Sequence, residues 1–214
     1  MNIKIKASHI TSLTDARYFA AKEVEWLSFN FTEGTSSYIE PMKARAIIEW
    51  VTVPNIVGEF SFLSADEINF YTEGWGLQVV QVGIFTPIST VIAIKNAAVI
   101  KEIKIDELTE YDLLIEDLLA FSPYVQAFQL NFDTNNITWA DIKNQSTPID
   151  IKVLKSICKK FKIILSIDFE PFMLNEILAL NLYGLNLKGG EEERTGVKSF
   201  DELDDIFDML ENNG

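Results

Sequence analysis

His9, the one histidine of the chain, directly follows Ser8, after a short run of alternating apolar and charged residues. A serine, an imidazole and a carboxylate such as Asp133 or Asp168 are the three groups of a hydrolase triad. Adjacent residues on a strand, however, point to opposite faces of the sheet. We therefore predict that Ser8 and His9 belong to a polar rim, with the triad as the alternative.

Three further charged residues follow apolar runs that have the composition of strands. Asp168 and Lys188 would end neighbouring strands, so we expect an ion pair between them, either structural or part of a site for a polar ligand. Glu59 ends another strand, at a position where an apolar residue is usual. Glu59, Asp168 and His9 could together bind a metal ion. No spacing in the sequence encodes such a site, and we predict no metal.

Short β-rich runs alternate with segments of helical periodicity along the chain. Strands are predicted at residues 3–7, 26–31, 55–60, 77–82, 98–105, 127–132, 162–167 and 184–187. Helices are predicted at residues 12–22, 41–51, 64–73, 88–95, 108–120, 149–160, 171–180 and 200–210. The elements that position the polar residues are therefore strands followed by helices.

The predicted strands are apolar enough to be covered on both faces, which indicates parallel pairing in an α/β fold. Eight strand–helix units predict a single (β/α)8 TIM barrel that spans residues 1–214 as one domain. A doubly wound open sheet is the alternative. In a barrel, functional side chains lie where strands end and the following loops begin. The polar residues named above would meet there.

The chain has 214 residues, with 18 basic and 32 acidic side chains and a formal net charge of −14. This charge disfavours binding to nucleic acid or to an anionic membrane surface, because both need clusters of lysine and arginine. About half of the excess lies in residues 191–211, which is typical of a solvated helix face. We expect no nucleic-acid or membrane partner, and the sequence identifies no protein partner.

A single cysteine, Cys158, cannot form an intramolecular disulfide, which fits a reducing compartment. Its place on an apolar helix face predicts that it is buried. The first residues are unlike a signal peptide. No apolar run reaches the roughly 18 residues of a membrane-spanning helix. We expect a cytoplasmic protein.

Residues 6–16 have the sequence K-A-S-H-I-T-S-L-T-D-A. Further blocks with recognisable patterns lie at residues 27–31, 36–39, 57–60, 77–81, 190–192 and 196–198. In this order the blocks resemble those of the phosphoribosylanthranilate isomerase family, whose opening pattern is K-[IV]-C-G-[IL]-T-x-x-x-D-A. The resemblance implies a (β/α)8 barrel from tryptophan biosynthesis. It also implies an Amadori rearrangement that needs no cofactor.

The resemblance places the two catalytic roles of that family on Ser8 and Asn131. In the family, a cysteine at the end of the first strand removes the C2 proton, and an aspartate at the end of the sixth strand protonates the ribose ring oxygen. A serine hydroxyl is too weakly acidic to act as an alkoxide base near pH 7. An amide has no proton to transfer as an acid. Because each such group contributes about 10²–10⁴-fold, we predict that the isomerisation is lost.

The resemblance also implies where a substrate would bind. Ser37 replaces an arginine that the family presents to the anthranilate carboxylate, and Asp168 replaces a glycine of the phosphate-binding seventh strand. Lys188 and the two glycines after it could still offer a cation and backbone amides. The predicted substrate-binding residues are Ser37, Gln81, Asp168, Lys188, Gly189 and Gly190. His9, Glu59 and Asp133 are the other residues expected at the mouth.

Three functional hypotheses remain open. The first is a divergent paralogue whose mouth binds another small molecule or a protein, and this is our prediction. The second is an enzyme with new chemistry that uses Asp168, Lys188, His9 or Asn131. The third is a working phosphoribosylanthranilate isomerase with a rearranged site. In each of them, the expected location of a small-molecule ligand is the carboxyl-terminal mouth of the barrel.

Overall fold

The structure, a computed structural model, describes residues 3–52, 54–189, 192–194 and 197–212, and only the backbone of those between 192 and 198. In this part of the chain, parallel strands pair in chain order and close into a barrel. The strands are β1 (Lys4–Ser8), β2 (Trp26–Asn30), β3 (Asn55–Phe60), β4 (Val79–Val82), β5 (Ala98–Lys104), β6 (Ala127–Asn131), β7 (Ile163–Ser166) and β8 (Gly184–Lys188).

Closure of the barrel confirms the predicted (β/α)8 fold. β8 pairs in parallel with β1 from Lys4 opposite Gly184 to Ser8 opposite Lys188. An open sheet would leave these two strands as unpaired edges, so the doubly wound alternative is wrong. That residues 1–214 constitute one domain stays a prediction.

Helices cover the outside of the barrel. The described helices are α1 (Leu13–Ala21), α2 (Pro41–Ile48), α3 (Ala65–Trp75), α4 (Ile88–Ala93), α5 (Tyr111–Phe121), α6 (Trp139–Lys143), α7 (Ile151–Lys160), α8 (Leu174–Leu178) and α9 (Asp201–Asn212). Each except α6 lies within a predicted helical segment or extends it by a few residues. A short antiparallel pair, β9 (Glu192–Arg194) and β10 (Val197–Lys198), follows β8 and was not predicted.

Capping explains why the start of α3 was predicted correctly. The short length of α6 explains why that helix was not predicted. Ser64 accepts a hydrogen bond from the backbone of Glu67, whose side chain bonds back, so the serine fixes the start of α3 as its sequence indicates. Thr138 and Asp141 form the same reciprocal cap at α6. A helix of five residues is too short to show an apolar periodicity, which is the stronger sequence signal.

The barrel interior has an apolar floor and a polar upper part. The floor is a cluster of buried side chains: Trp26, Val57, Val79, Ile100, Ala127 and Ile164. Side chains on a strand alternate between its two faces, so the residue two places further along also points inward. Those residues, with their counterparts on β1 and β8, are all polar, and we call them the interior polar set. They are Lys6, Ser28, Glu59, Gln81, Glu102, Gln129, Ser166 and Asn186.

Two predictions that do not concern the mouth have direct outcomes. Cys158 is free and buried on α7, as predicted. Burial raises the pKa of its thiol to about 12, so it remains a protonated, unreactive group. Within the described ranges, no helix is both long enough and apolar enough to span a membrane.

Candidate functional site at the barrel mouth

A polar cavity of about 380 Å³ opens at the carboxyl ends of the strands. Its volume is in the range of small-molecule sites. The predicted site residues that line it are Ser8, His9, Ser37, Glu59, Gln81, Asn131, Asp133 and Lys188. Its walls also contain Ser166, at the predicted end of the seventh strand, and residues that were not predicted, namely Asn30, Glu102, Lys104, Gln129 and Asn186.

A buried ion pair joins Lys6, inside the barrel, to Glu59 in the wall of the cavity. Lys6 Nζ lies 2.6 Å from Glu59 Oε1, and the two side chains are 0% and 13% exposed. Lys6 Nζ also donates a hydrogen bond to Asn186 Oδ1 at 3.3 Å. Desolvation would raise the pKa of Glu59, but the charge and hydrogen bond of Lys6 bring that pKa below its ordinary value. Glu59 is therefore a carboxylate near neutral pH.

Ser8, at the end of β1, takes part in hydrogen bonds that do not involve His9. Its hydroxyl accepts from Asn186 Nδ2 at 3.0 Å and donates weakly to the Leu187 carbonyl at 3.5 Å. Both partners of the Ser8 hydroxyl in the described chain belong to β8, and neither is a base that could remove its proton. The alternative of a hydrolase triad is therefore wrong, because it requires a hydrogen bond from Ser8 to His9 and the Ser8 hydroxyl bonds to β8 instead.

Asn131, at the end of β6, positions the carboxyl group of Glu102 on β5. Asn131 Nδ2 donates to Glu102 Oε1 at 2.7 Å, and Asn131 Oδ1 accepts from the backbone of Thr134 at 3.2 Å. Burial raises the pKa of Glu102 above its ordinary value, although the hydrogen bond from Asn131 opposes this. The charge of nearby Glu59 raises the pKa further. Glu102 therefore keeps its proton to a higher pH than an exposed glutamate does.

Lys188 pairs with Asp133, and the predicted ion pair between Lys188 and Asp168 is wrong. Lys188 Nζ lies 2.9 Å from Asp133 Oδ1, while Asp133 Oδ2 accepts from Ser166 Oγ at 2.6 Å. Asp168 is exposed and is not part of the cavity wall. The reason is the path of the chain after β7, where the Asp168 carbonyl accepts a hydrogen bond from the backbone of Trp139 at 2.8 Å.

The position of Asp168 also removes the metal alternative. Glu59 and His9 line the cavity without it. Among the described residues, no group of three or more histidine, cysteine, aspartate or glutamate side chains is arranged to hold a metal ion.

His9 adopts a left-handed backbone conformation with φ of 58°. The family pattern has glycine here, and a residue with a Cβ is strained in this region by about 1–2 kcal/mol. The conformation places the imidazole at the rim of the cavity. Partial desolvation, with the charges of Lys188 and Lys6, lowers the pKa of His9 although Glu59 acts in the opposite direction. The ring is therefore neutral at pH 7.

Lys188 and Gly189, the two described residues of the predicted phosphate-binding position, already have partners within the protein. The backbone N–H of Gly189 donates to the Ser8 carbonyl at 2.9 Å. The ammonium group of Lys188 is paired with Asp133, as described above. The third residue, Gly190, and the neighbouring Glu191 lie outside the described residues.

Three amide and hydroxyl side chains complete the wall. Ser37 is buried and accepts a hydrogen bond from Asn30 Nδ2 at 2.9 Å. Gln81 and Gln129 are 5% and 3% exposed. Over the described part of the chain, the Oε1 atoms of both glutamines have no hydrogen-bond partner. The wall residues therefore include two buried acceptor oxygens whose hydrogen-bonding capacity is unused within the described chain.

Three of the residues that sequence reasoning missed, Glu102, Gln129 and Asn186, lie before the ends of their strands. Glu102 lies within β5, two residues after the floor residue Ile100, and Gln129 stands in the same relation to Ala127. Sequence reasoning considered only the ends of strands. Side chains alternate along a strand, so the position two residues after each inward-facing floor residue identifies Glu102 and Gln129. The pairing of Lys6 with Glu59 has no local signal, because 53 positions separate them in the sequence.

We expect Glu59→Gln to destabilise the protein by about 3–5 kcal/mol, because it leaves the Lys6 charge buried without its partner. Urea denaturation at pH 7 measures the loss. The matched control is Glu25→Gln, which breaks the pair of Lys4 and Glu25 at 2.7 Å, whose side chains are 34% and 36% exposed. That change should cost less than about 1 kcal/mol. Equal losses in the two variants would contradict a buried, energetically coupled pair.

We expect the stability of wild type relative to Glu102→Gln to fall as the pH rises from about 4, the ordinary glutamate value. The raised pKa of Glu102 means that the folded state binds the proton more tightly than the unfolded state does. Raising the pH through that pKa therefore removes stability from wild type but not from the variant. Urea denaturation between pH 4 and 8 measures the difference. Glu107→Gln, on an exposed residue of the next loop, should show no such trend.

No protein-family model matches the sequence, and no curated protein matches it. Solved structures do. A phosphoribosyl anthranilate isomerase from Thermus thermophilus is 26% identical, with 99% of this chain and 100% of that chain covered and a TM-score of 0.77. The enzyme of the same name from Thermotoga maritima is 20% identical, with 98% and 99% covered and a TM-score of 0.77.

A third structure is a phosphoribosyl anthranilate isomerase in complex with reduced 1-(o-carboxyphenylamino)-1-deoxyribulose 5-phosphate. It is 21% identical, with 98% of this chain and 99% of that chain covered and a TM-score of 0.72. These similarities extend over nearly the whole of each chain. The chain is a phosphoribosylanthranilate isomerase-like (β/α)8 barrel.

Proposed function

We propose that the barrel mouth binds a small, uncharged polyhydroxy compound, and that the chain does not catalyse the Amadori isomerisation. The observation that carries this proposal is the interior polar set. Its lysine is neutralised within the protein, while its two glutamine acceptors, on Gln81 and Gln129, have no partner among the described residues.

The charges of the mouth disfavour an anionic ligand. The compound bound by the related isomerase is a phosphate and a carboxylic acid by its name. Such a ligand would have to take Lys188 from Asp133 and would approach Glu59 and Glu102. The Lys188 side chain is 42% exposed and the Asp133 side chain is 9% exposed, so loss of the pair would leave the more buried charge, that of Asp133, without its cation. A neutral ligand incurs no such cost.

The two buried glutamine oxygens without a hydrogen-bond partner favour a ligand rich in hydroxyl groups. A buried acceptor without a partner costs about 1–3 kcal/mol. A hydroxyl group of a ligand that donates to Gln81 Oε1 or Gln129 Oε1 would recover this free energy. A site built to donate or accept such bonds discriminates strongly against analogues that lack the matching group.

The groups at the two family positions support the loss of the isomerase reaction. The Ser8 hydroxyl is held by Asn186 and the Leu187 carbonyl. The Asn131 amide is held by Glu102 and has no acidic proton. Neither group is arranged to exchange a proton with a ligand in the way that the cysteine and aspartate of the family do.

We expect no measurable turnover of phosphoribosylanthranilate, followed as the loss of its fluorescence. The variant with both Ser8→Cys and Asn131→Asp should also be inactive, because Lys188 remains paired with Asp133 and is not free to bind the phosphate. An isomerase-deficient tryptophan auxotroph gives the same comparison in cells. Turnover of wild type at an ordinary enzyme rate of about 1–10³ s⁻¹ would contradict the proposal.

We expect unphosphorylated pentoses, hexoses or sugar alcohols to raise the melting temperature more than their phosphate esters do. A ligand at about ten times its Kd stabilises the folded state by about 1.4 kcal/mol. Gln129→Leu removes an acceptor and should abolish the shift. Gln78→Leu, the same change at an exposed residue just before β4, should preserve it. Stabilisation by the phosphate esters alone would contradict a site for neutral ligands.

A further inference from the structure

Two carboxyl groups line the same cavity. Glu59 on β3 and Glu102 on β5 both line it, and β4 lies between them. Glu59 pairs in register with Gln81, and Gln81 pairs with Ile100, two residues before Glu102. Neighbouring strands are about 4.8 Å apart, so the backbones that bear the two carboxyl groups are separated by about 10 Å. Both side chains can therefore reach a molecule bound in the same cavity.

Each carboxyl group is oriented by a partner from a different strand. Lys6 of β1 lies 2.6 Å from Glu59 Oε1, and Asn131 of β6 donates to Glu102 Oε1 at 2.7 Å. Two carboxyl groups that are held in fixed orientations around one cavity have the geometry that proton transfer to and from a bound molecule needs. Neither of them has a role in the family reaction as the sequence resemblance describes it.

The surroundings of the two carboxyl groups shift their pKa values in opposite directions. Glu59 has a cation at hydrogen-bond distance, which keeps it ionised. Glu102 is largely desolvated and has a second carboxylate nearby, and both favour its neutral form although the hydrogen bond from Asn131 acts in the opposite direction. A pair of carboxyl groups in one cavity whose protonation is separated in this way can supply a base and an acid at the same pH.

We infer that Glu59 and Glu102 act as general base and general acid in the interconversion of an unphosphorylated aldose and its ketose. This inference rests on the proposed function, because it needs a neutral polyhydroxy molecule in the cavity. The cavity of about 380 Å³ holds one small sugar, and a proton shift within one molecule needs no second reactant. The acceptors Gln81 and Gln129 would bind the hydroxyl groups that are not reacting.

The reaction balances without an external reactant. The Glu59 carboxylate removes the proton from C2 of the open-chain aldose, and the Glu102 carboxylic acid gives its proton to the oxygen on C1, which forms an enediol. The hydroxyl on C2 then returns its proton to the Glu102 carboxylate, while the Glu59 carboxylic acid protonates C1. C1 is reduced from aldehyde to alcohol and C2 is oxidised from alcohol to ketone. Both glutamates end in their starting states.

Lys6 and Asn131 are positioning residues in this scheme. Lys6 keeps Glu59 ionised and fixes its orientation, and Asn131 directs Glu102 toward the cavity. The residue at the position of the family acid thus orients a carboxylic acid on the neighbouring strand.

The test uses the whole protein with D-ribose, D-xylose, D-glucose and D-fructose, each in deuterium oxide, followed by nuclear magnetic resonance. We expect one of these sugars to interconvert with its isomer and to gain deuterium at the carbon that is protonated. Glu102→Gln preserves the side-chain shape and an oxygen for the Asn131 hydrogen bond, so the variant should fold. It should lower the rate by about 10²-fold or more. Glu107→Gln should leave the rate unchanged.

The pH profile separates catalysis from a merely structural role of Glu102. The rate should fall at low pH as Glu59 is protonated and at higher pH as Glu102 loses its proton. Glu102→Gln should abolish the high-pH fall of whatever rate remains. A profile of the same shape in wild type and in this variant would overturn the inference.

The melting temperature and the deuterium content distinguish a failure of binding from a failure of turnover. A sugar that raises the melting temperature but gains no deuterium overturns the acid–base inference and leaves the proposed binding function intact. If none of the four sugars binds or exchanges, the inference is overturned together with its proposed ligand class. Exchange at the wild-type rate in Glu102→Gln also overturns it, because the acid would then be another group.

Discussion

The ion pair of Lys6 and Glu59 is the constraint on which the barrel interior depends. A charge moved out of water is tolerated only when its partner and further hydrogen bonds compensate the loss of hydration. Asn186 supplies one of these bonds to Lys6 and itself donates to Ser166 Oγ at 3.0 Å. Ser166 in turn donates to Asp133. The side chains of β1, β3, β7 and β8 therefore form one continuous network from the interior to the rim.

This network lies directly above an apolar floor, and the contact between them determines the electrostatics of the cavity. Apolar residues usually fill the interior of such a barrel in successive layers. Here the layer above Ile100 and Val57 is polar, which forgoes part of the stabilisation that apolar packing would provide. A low-dielectric floor also strengthens each charge interaction above it. Small differences in partners are thus enough to separate the protonation of Glu59 from that of Glu102.

The sequence allowed the barrel to be predicted because strand and helix periodicities are local. The site was predictable only in part. Residues at strand ends such as Ser8 and Asn131 do line the cavity, but the partner of Lys188 depends on the path of the chain after β6 and β7, which no local pattern encodes. Glu102 was missed because it lies inside a strand. The hydrogen bond from Asn131 reaches it across the β5–β6 pairing, which only the register reveals.

The positions that the family uses for catalysis have become positions that orient other groups. Ser8 accepts a hydrogen bond from Asn186, which also accepts from Lys6, the partner of Glu59. Asn131 donates to Glu102. In the proposed site, proton transfer therefore moves from β1 and β6 to β3 and β5 while the cavity stays in place. Such a shift needs no change in the fold, because all eight strands of a barrel present their inward side chains to the same space.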